Sequence, residues 1–274
     1  MILTGFEPPT DMGPSLFTGF MIKECNLSDM TIVGWNSKYL EILNEFGYSK
    51  ENDLDSAWLL DSILKNSVSL NKLKKIISSK SVFVIGAGPS LSSCLQILKK
   101  FHSETKIVAD SAVQALLENK IKPDIVVTDL DGDEKSLRIV GKTDTILVTH
   151  AHGDNIAKLH LVENFKNCLG TTQTNPIGKI YNFGGFTDGD RCVFLANHFG
   201  AKNIILFGMD FGRTIGKYSK TKSSERKTKI KKLRRGKKLL EWLATKRKTG
   251  LYTTSKSIKG FKKICYEELE EIII

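Results

Sequence analysis

Apolar and polar positions follow two different periods along this chain. From Ser81 onward, short runs of apolar and mostly β-branched residues alternate with stretches in which apolar residues recur every three or four positions. The short runs are apolar throughout, which is typical of strands buried on both faces of a parallel sheet. We therefore predict an α/β fold with a mostly parallel sheet flanked by helices. The predicted strands are 81–85, 106–109, 124–127, 145–148, 179–183 and 203–207.

The segments on either side of this pattern have mainly the helical period. Residues 1–75 contain apolar residues at helical spacing, which predicts a mixed and largely helical lead-in. Residues 213–248 show the same spacing, and 261–274 is expected to form a short closing helix or strand. We predict three parts: the lead-in, an α/β catalytic domain over 76–212, and a C-terminal extension over 213–274.

The composition is that of a folded protein without a membrane anchor. Of the 274 residues, 41% are hydrophobic and 26% are charged, as in ordinary globular domains. No apolar run approaches the ~20 residues that span a bilayer, and the amino terminus lacks the features of a signal peptide. Five cysteines form no CxxC pair, which favours buried thiols in a reducing compartment. We expect a cytoplasmic protein with no membrane partner, and the sequence is compatible with a homo-oligomer.

The net charge of +11 is concentrated in one segment. Residues 213–248 contain 16 Lys and Arg and only two acids, whereas the rest of the chain carries a net charge of −3. Such a patch can bind nucleic acid through its phosphates, but no aromatic interleaving or known nucleic-acid motif accompanies it. We favour a basic helix that attracts ATP, and we keep nucleic-acid binding as the alternative.

A glycine-rich turn follows the first predicted strand and precedes a helix. The turn contains, in order, Gly86, Gly88, Pro89 and Ser90. This geometry can place backbone N–H groups against a phosphate, and Asp110 lies where a dinucleotide site keeps its ribose-binding acid. The sheet is therefore Rossmann-like, and a dinucleotide-dependent oxidoreductase is one alternative. Because Leu91 occupies the third glycine position, we favour anion binding by the turn over a full dinucleotide site.

Two aspartates end the third predicted strand. Asp129 and Asp131 are two residues apart, so an extended backbone directs both carboxylates to one side. Paired carboxylates repel each other unless a cation lies between them. With oxygen ligands alone, the preferred cation is magnesium, which also takes phosphate oxygens as ligands. This segment therefore predicts a magnesium site, against the alternative of a solvated acidic turn.

The next predicted strand ends in a string of possible metal ligands. His150, His152 and Asp154 form an HxHxD pattern, followed by Asn155. This pattern can hold zinc or a dinuclear centre in a metallo-hydrolase, which gives a second chemical alternative. The remaining histidines offer no obvious further ligands. We therefore favour Asp154 as a second carboxylate of the magnesium or phosphate site.

A second glycine loop lies between the fifth predicted strand and a helix. It contains Gly184, Gly185, Asp188, Asp190 and Arg191. One of the two acids could simply cap the helix. A cap does not explain two acids, two glycines and an arginine together, so we favour contact with substrate or phosphate. Asp210 follows the last predicted strand and completes the series of strand-end carboxylates.

Five motifs occur in an order that resembles the archaeal 6-hydroxymethyl-7,8-dihydropterin pyrophosphokinase family. They are GAGPSL (86–91), TDLDGD (128–133), HAHGDN (150–155), NFGGFTDGDR (182–191) and GMDFG (208–212). A related resemblance, to the catalytic domain of thiamine pyrophosphokinase, rests on that family's ADGGA, GDFDS and GGRxDH motifs. Ser111 and Phe186 depart from these motifs, which argues against thiamine as the acceptor.

The resemblance implies a function and a set of roles. It implies magnesium-dependent transfer of a diphosphate from ATP to the hydroxymethyl group of a reduced pterin, with release of AMP, in folate or methanopterin biosynthesis. A thiamine pyrophosphokinase-like enzyme with another hydroxymethyl acceptor is the alternative. The expected catalytic residues are Asp129, Asp131, Asp154 and Asp188, of which the first three hold the metal. The expected nucleotide-binding residues are Gly86, Gly88, Pro89, Ser90, Asp110, Asn155, Gly184, Gly185, Asp190 and Arg191.

Overall fold

Nine strands form one sheet in the computed structural model, which describes residues 31–247 and 250–273. The strands are β1 (Ser81–Ile85), β2 (Thr105–Ala109), β3 (Ile125–Thr128), β4 (Ile146–Ala151), β5 (Cys168–Thr172), β6 (Ile180–Tyr181), β7 (Asn203–Phe207), β8 (Leu251–Thr253) and β9 (Lys262–Lys263). They pair in the order β6-β5-β4-β3-β2-β1-β7-β8-β9, and each of these pairings is parallel. The predicted α/β fold with a parallel sheet is confirmed.

Helices connect the strands and cover both faces of the sheet. They are α1 (Trp35–Phe46), α2 (Lys50–Ile63), α3 (Leu70–Ile77), α4 (Leu91–Lys100), α5 (Val113–Glu118), α6 (Glu134–Gly141), α7 (Asp188–His198), α8 (Arg226–Lys246) and α9 (Leu269–Ile273). Short 3₁₀ segments lie at Asp110–Ala112, Gly153–Asn164, Lys217–Ser219 and Ser223–Glu225. No helix in the described part of the chain is long and apolar enough to cross a membrane.

The strand predictions differ from the structure in three places. The strand Cys168–Thr172 was not predicted, because its two threonines and one glycine interrupt the apolar run. The strand predicted over 179–183 is only Ile180–Tyr181, at the edge of the sheet. The extension contributes β8 and β9 to the sheet in addition to its predicted helix. The lead-in is helical where it is described, and residues 1–30 lie outside the described residues.

Alternating side chains on each central strand build two separate cores. On β1, Val82 and Val84 pack into one core together with α1, α3, α7 and α8. Phe83 and Ile85 pack into the other, together with α2, α4, α5 and α6. Because successive strand residues point to opposite faces, a run that is apolar throughout produces this three-layer arrangement. The burial of β1 on both faces is complete.

The chain changes direction across the sheet between β1 and β7. From β1 the strands proceed one way to β6, and the chain then returns to place β7 on the other side of β1. In open parallel sheets this switch point leaves a crevice beyond the carboxyl ends of the strands, where ligands bind. The loops that follow β1, β2, β3 and β7 all open into this crevice.

A buried carboxylate in α2 joins the lead-in to the sheet. Asp53 is almost fully buried and accepts hydrogen bonds from Tyr39 Oη at 2.7 Å, Gln173 Nε2 at 2.8 Å and the Gly153 backbone N–H at 2.9 Å. These donors come from α1, from the segment after β5 and from the segment after β4. Asp53 therefore fixes the loops at the carboxyl edge of the sheet to the helical lead-in.

Candidate active site

A cleft of about 900 Å³, open mouth included, lies at this switch point. Its floor consists of the turn after β1 and the segment after β7, and its walls include Asp129, Asp131 and the start of α7. Part of α8 closes it from above.

Four aspartates converge at one side of the cleft. Each of Asp110, Asp129, Asp131 and Asp188 offers a carboxylate oxygen, and these four oxygens lie within 4.8 Å of one another. They come from the ends of β2 and β3 and from the first turn of α7. In the described residues this is the one group of His, Cys, Asp or Glu side chains arranged to hold a metal ion.

The surroundings shift the pKa of all four carboxylates away from its ordinary value. Burial first, and then the charges of Asp129 and Asp131, raise the pKa of Asp110 to about 7. Neighbouring protein atoms exclude water from the Asp131 carboxylate, and this desolvation together with the Asp129 charge raises the pKa of Asp131 to about 6. Burial and the Asp129 charge also raise the pKa of Asp188 well above its ordinary value. At Asp129, burial is outweighed by His152 and Arg191, which hold its pKa below the ordinary range. Such a cluster is expected to attract a cation.

A tight turn after β3 wraps around Asp110. Asp110 Oδ2 accepts hydrogen bonds from Thr128 Oγ1 at 2.5 Å and from the Gly132 N–H at 3.1 Å, whereas the buried Asp110 Oδ1 has no partner. A Cβ on Gly132 would lie 1.9 Å from that oxygen, so only glycine fits there. Leu130 adopts φ +66° and its N–H donates to Thr128 Oγ1 at 2.8 Å. The TDLDGD segment thus positions Asp129 and Asp131 around a carboxylate from the neighbouring strand.

The segment after β4 supports this turn from the side. Asn155 Nδ2 donates to the carbonyls of Asp129 and His150, both at 2.7 Å, and its Oδ1 accepts from the His152 N–H at 3.0 Å. His152 Nε2 lies 3.6 Å from Asp129 Oδ2. Asp154 is outside the four-aspartate cluster, and its side chain is 63% exposed. Asn155 therefore holds the backbone of the cluster, and the metal-binding role predicted for Asp154 finds no support in its position.

The HxHxD pattern does not converge. His150 is buried against the sheet, where its Nδ1 lies 3.2 Å from Thr171 Oγ1, whereas His152 turns towards Asp129. Burial, with Arg191 and His152 nearby, holds the pKa of His150 well below its ordinary value, so its ring is neutral. This placement gives no support to the zinc hydrolase alternative.

The glycine-rich turn after β1 lines the cleft through Gly86, Gly88 and Pro89, but its N–H groups are largely occupied. Gly86 donates to the Phe207 carbonyl at 2.9 Å, and Gly88 donates to the Gly208 carbonyl at 2.7 Å. The Ser90 N–H donates to Asp210 Oδ2 at 3.0 Å. A carboxylate of the protein itself therefore occupies the start of α4, where a bound phosphate was expected. Phosphate binding by this turn stays a prediction.

The second glycine loop brings one of its two acids to the site. Asp188 joins the cluster and lies 3.3 Å from Arg191 Nη1. Asp190 is fully buried and accepts from the N–H groups of Phe186 at 2.6 Å and Thr187 at 2.9 Å, which forms a capping box for α7. The Asp190 carboxylate therefore stabilises the start of α7 and has a structural role.

The two glycines of this loop lie behind the cleft wall. Both have positive φ, and Gly184 packs against Phe194 while Gly185 packs against the Arg191 backbone. They let the start of α7 approach the end of β6 closely. The nucleotide-binding roles given to the two glycines and Arg191 stay predictions.

Three charged residues that line the cleft were not among the predicted site residues. They are Asp210, whose motif was noted without a role, and Lys229 and Lys232 in α8. The lysines were hidden among many basic residues. Their separation of three positions also occurs in other basic pairs of α8, so the sequence alone does not single them out.

Comparison with known proteins identifies the family. The family model described as "6-hydroxymethylpterin diphosphokinase MptE-like" matches residues 59–216. A protein of Methanocaldococcus jannaschii is 44% identical over 234 residues, which is 79% of this chain and 97% of the relative. One of Pyrococcus furiosus is 48% identical over 218 residues, which is 76% of this chain and 92% of the relative.

A third relative, from Methanothermobacter thermautotrophicus, is 39% identical over 221 residues, which is 78% of this chain and 95% of the relative. All three are named 6-hydroxymethyl-7,8-dihydropterin pyrophosphokinase. These names confirm the predicted class of enzyme, a diphosphotransferase. The resemblance to thiamine pyrophosphokinase stays a prediction.

A solved structure shares the fold at low identity. The MAf glycosyltransferase of Magnetospirillum magneticum superposes with a TM-score of 0.51 at 15% identity, over 77% of this chain and 39% of that protein. At this identity the likeness concerns the fold alone. The family model and the three relatives carry the assignment, and this chain belongs to the 6-hydroxymethylpterin diphosphokinase MptE-like family.

Proposed function

We propose that this chain transfers a diphosphate from ATP to the hydroxymethyl group of 6-hydroxymethyl-7,8-dihydropterin in a magnesium-dependent reaction that releases AMP. The observation that carries the proposal is the convergence of four carboxylates at the cleft, in a chain whose relatives are named for that pterin. Diphosphate transfer needs alignment and charge neutralisation more than it needs a protein nucleophile. Among the described residues that line the cleft there is neither a Cys nor a His, in agreement with this requirement.

The residues of the cluster fit a divalent cation. Asp110 Oδ1 is buried without a partner, and the neighbouring carboxylates repel one another in the absence of a counter-charge. Oxygen-only donors match the preference of magnesium. We place the ion on Asp110, Asp129, Asp131 and Asp188, where it would bind phosphate oxygens and neutralise the charge that develops on them.

The bond changes of the proposed reaction involve the two substrates alone. The hydroxymethyl oxygen of the pterin forms a bond to the β-phosphorus of ATP, and the bond between the β-phosphorus and the oxygen that bridges to the α-phosphorus breaks. AMP leaves with that oxygen, and the hydroxyl proton passes to water. The protein holds the reactants in line, which accounts for a large part of the rate enhancement in such reactions.

The apolar part of the cleft suits flat aromatic rings. Phe186, Met209, Ile215 and Leu233 line it beside the carboxylates. Ligand sites typically combine apolar walls with a few polar groups that fix orientation. We propose that these walls receive the adenine and pterin rings, in a step of folate or methanopterin biosynthesis. The cytoplasmic location and a homo-oligomeric state stay predictions.

The test is an assay of the purified chain with ATP, with and without magnesium, and with the reduced pterin or thiamine as acceptor. We expect AMP and a diphosphorylated pterin to appear in equal amounts, only with magnesium and only with the pterin. Release of ADP would indicate a monophosphate kinase, and turnover of thiamine would identify the alternative acceptor. Retention of the protein on DNA or RNA without any turnover would favour the nucleic-acid alternative.

A further inference from the structure

The cleft contains more negative charge than one divalent cation on the four-aspartate cluster can neutralise. Asp129, Asp131, Asp188 and Asp210 all line it, and each adds negative charge where a triphosphate has to enter. A single divalent cation on the cluster offsets only part of this charge. At the glycine turn after β1, three of the backbone N–H groups that could bind phosphate already donate to internal acceptors. Positive side chains from another part of the fold would therefore add to the binding of a triphosphate.

Only one element supplies such side chains to the cleft. Among the described residues that line it, the basic ones are Lys229 and Lys232. They are separated by three positions on α8 and therefore lie on the same side of the helix. The positive charges of both lysines act on the cluster, because each lowers the pKa of Asp131. Desolvation and the Asp129 charge have larger effects and raise that pKa overall.

Packing holds Lys232 in place as a charged group. Its Nζ lies 5.6 Å from the ring centroid of Tyr48 and 6.0 Å from that of Phe186. Burial acts to lower the pKa of Lys232, but the proximity of Tyr48 and the charges of Asp129 and Asp154 outweigh burial and raise it. In the described part of the chain, neither Lys232 nor Lys229 forms an ion pair at 4.0 Å or less. Both ammonium groups are thus available to an anion in the cleft.

The position of α8 over the cleft is fixed by contacts further along the helix. A Cβ on Gly236 would lie 2.8 Å from Asp190 Oδ1, so glycine allows α8 to pack closely on the start of α7. Arg235 pairs with Glu45, and with Glu41 at 2.9 Å, while Leu239 and Leu240 are buried in the core. These contacts fix the middle of α8 against α1 and α7, one turn after Lys232.

We propose that Lys229 and Lys232 bind the phosphate chain of the nucleotide directly, on the side opposite the four-aspartate cluster. The inference rests on the proposed function, since it assumes that a nucleoside triphosphate enters this cleft. It differs from general attraction by the basic segment, because it assigns the effect to two residues on one side of α8. Other basic side chains of the helix point away from the cleft: Lys231 Nζ lies 4.5 Å from the Phe46 ring centroid, and Arg235 pairs with Glu41 and Glu45.

A charge-matched pair of variants separates direct contact from general attraction. The double variant Lys229→Gln, Lys232→Gln removes two charges at the cleft. The control Lys227→Gln, Lys238→Gln removes two charges from exposed positions of the same helix. Affinity is measured by titration with α,β-methylene-ATP, in which the scissile bridge is blocked, and with AMP, which carries a single phosphate. Circular dichroism and the melting temperature check that all proteins are folded.

We expect the cleft variant to bind α,β-methylene-ATP about 10- to 100-fold more weakly, the loss typical of a charge-assisted hydrogen bond. AMP binding should change several-fold less, and the control should bind both ligands as the wild type does. Lys232→Arg, which keeps the charge, should retain most of the affinity. Equal weakening by the two double variants, or no weakening by the cleft variant, would overturn the inference while wild-type turnover leaves the proposed function intact. Wild-type protein that neither binds the analogue nor turns over ATP would overturn both.

Discussion

Two polar segments lie at the carboxyl ends of neighbouring strands of the sheet, TDLDGD at the end of β3 and HAHGDN at the end of β4. In the first, Asp129 and Asp131 join Asp110 and Asp188 in a cluster of four carboxylates. In the second, Asn155 is committed to hydrogen bonds with the Asp129 and His150 carbonyls, and the Asp154 side chain is exposed. The first segment thus supplies candidate ligands, and the second holds the first in place.

The difference shows that a strand-end carboxylate gains a candidate role through its neighbours. Asp131 and Asp154 are both exposed, but Asp131 lies beside three other carboxylates and Asp154 lies outside that cluster. The same contrast recurs within α7, where Asp188 lines the cleft and Asp190 accepts hydrogen bonds from backbone N–H groups. Spacing alone does not separate these cases. Five substitutions, in four experiments, test whether the contrast holds for activity.

The largest effect is expected from Asp131→Asn. Removal of one charge from the cluster should lower kcat on the order of 10²- to 10³-fold, as for loss of a key electrostatic group. Magnesium should also raise the melting temperature of the variant less than that of the wild type, since a bound ligand stabilises the folded state. The control is Asp133→Asn: Asp133 caps α6 and pairs with Lys220, and asparagine also caps well. Equal kcat values for the two variants would contradict the assignment of Asp131.

A matched pair on α7 is expected to separate activity from stability. Asp188→Asn should lower kcat about 100-fold with little effect on the melting temperature. Asp190→Asn removes a charged acceptor from three donors and should lower the free energy of unfolding by about 1.5–3 kcal/mol. Its folded fraction should keep a kcat within a few-fold of the wild type. Chemical denaturation and steady-state kinetics on both proteins test this, and the reverse pattern would show that Asp190 acts in the cleft.

An intermediate effect is expected from Asn155→Ala. The substitution leaves the Asp129 and His150 carbonyls without their donor, which should destabilise the fold by about 1–3 kcal/mol. Because the Asp129 backbone loses its support, kcat should fall about 10-fold, as for residues that orient metal ligands. Asn167→Ala is the control for stability: the position is partly exposed, and the side chain accepts from Lys72 Nζ at 3.0 Å and donates to the Thr143 carbonyl at 3.3 Å. If kcat of the Asn155 variant is unchanged while stability falls, the residue supports only the fold.

The smallest effect is expected from Asp154→Asn. The side chain is exposed and lies outside the cluster, so kcat and the magnesium dependence should stay within about twofold of the wild type, as for most surface substitutions. Titration of activity with magnesium provides the measurement. A large rise in the magnesium requirement would restore Asp154 as a metal ligand and would remove the contrast between the two segments.

The sequence by itself determined the sheet and the edge at which the site lies. Apolar runs such as Ser81–Ile85 are a local property, and a strand apolar on both faces has to lie inside a parallel sheet. Residues that follow such runs then collect at the carboxyl edge. Asp129 and Asp131 were found in this way. The strand Cys168–Thr172 was missed because its burial depends on neighbours that its own composition does not reveal.

The tertiary structure alone decided which of these side chains meet and what already occupies them. Asp210 reaches Ser90 across 120 positions of the chain, and Asp53 reaches Gly153 across 100. Lys229 and Lys232 face the cleft because α8 packs on α7 through Gly236. Contacts of this kind depend on how distant helices and loops pack together. The local pattern of apolar and polar residues does not predict them. The sequence therefore located the edge of the sheet, and packing between distant segments selected the residues that act there.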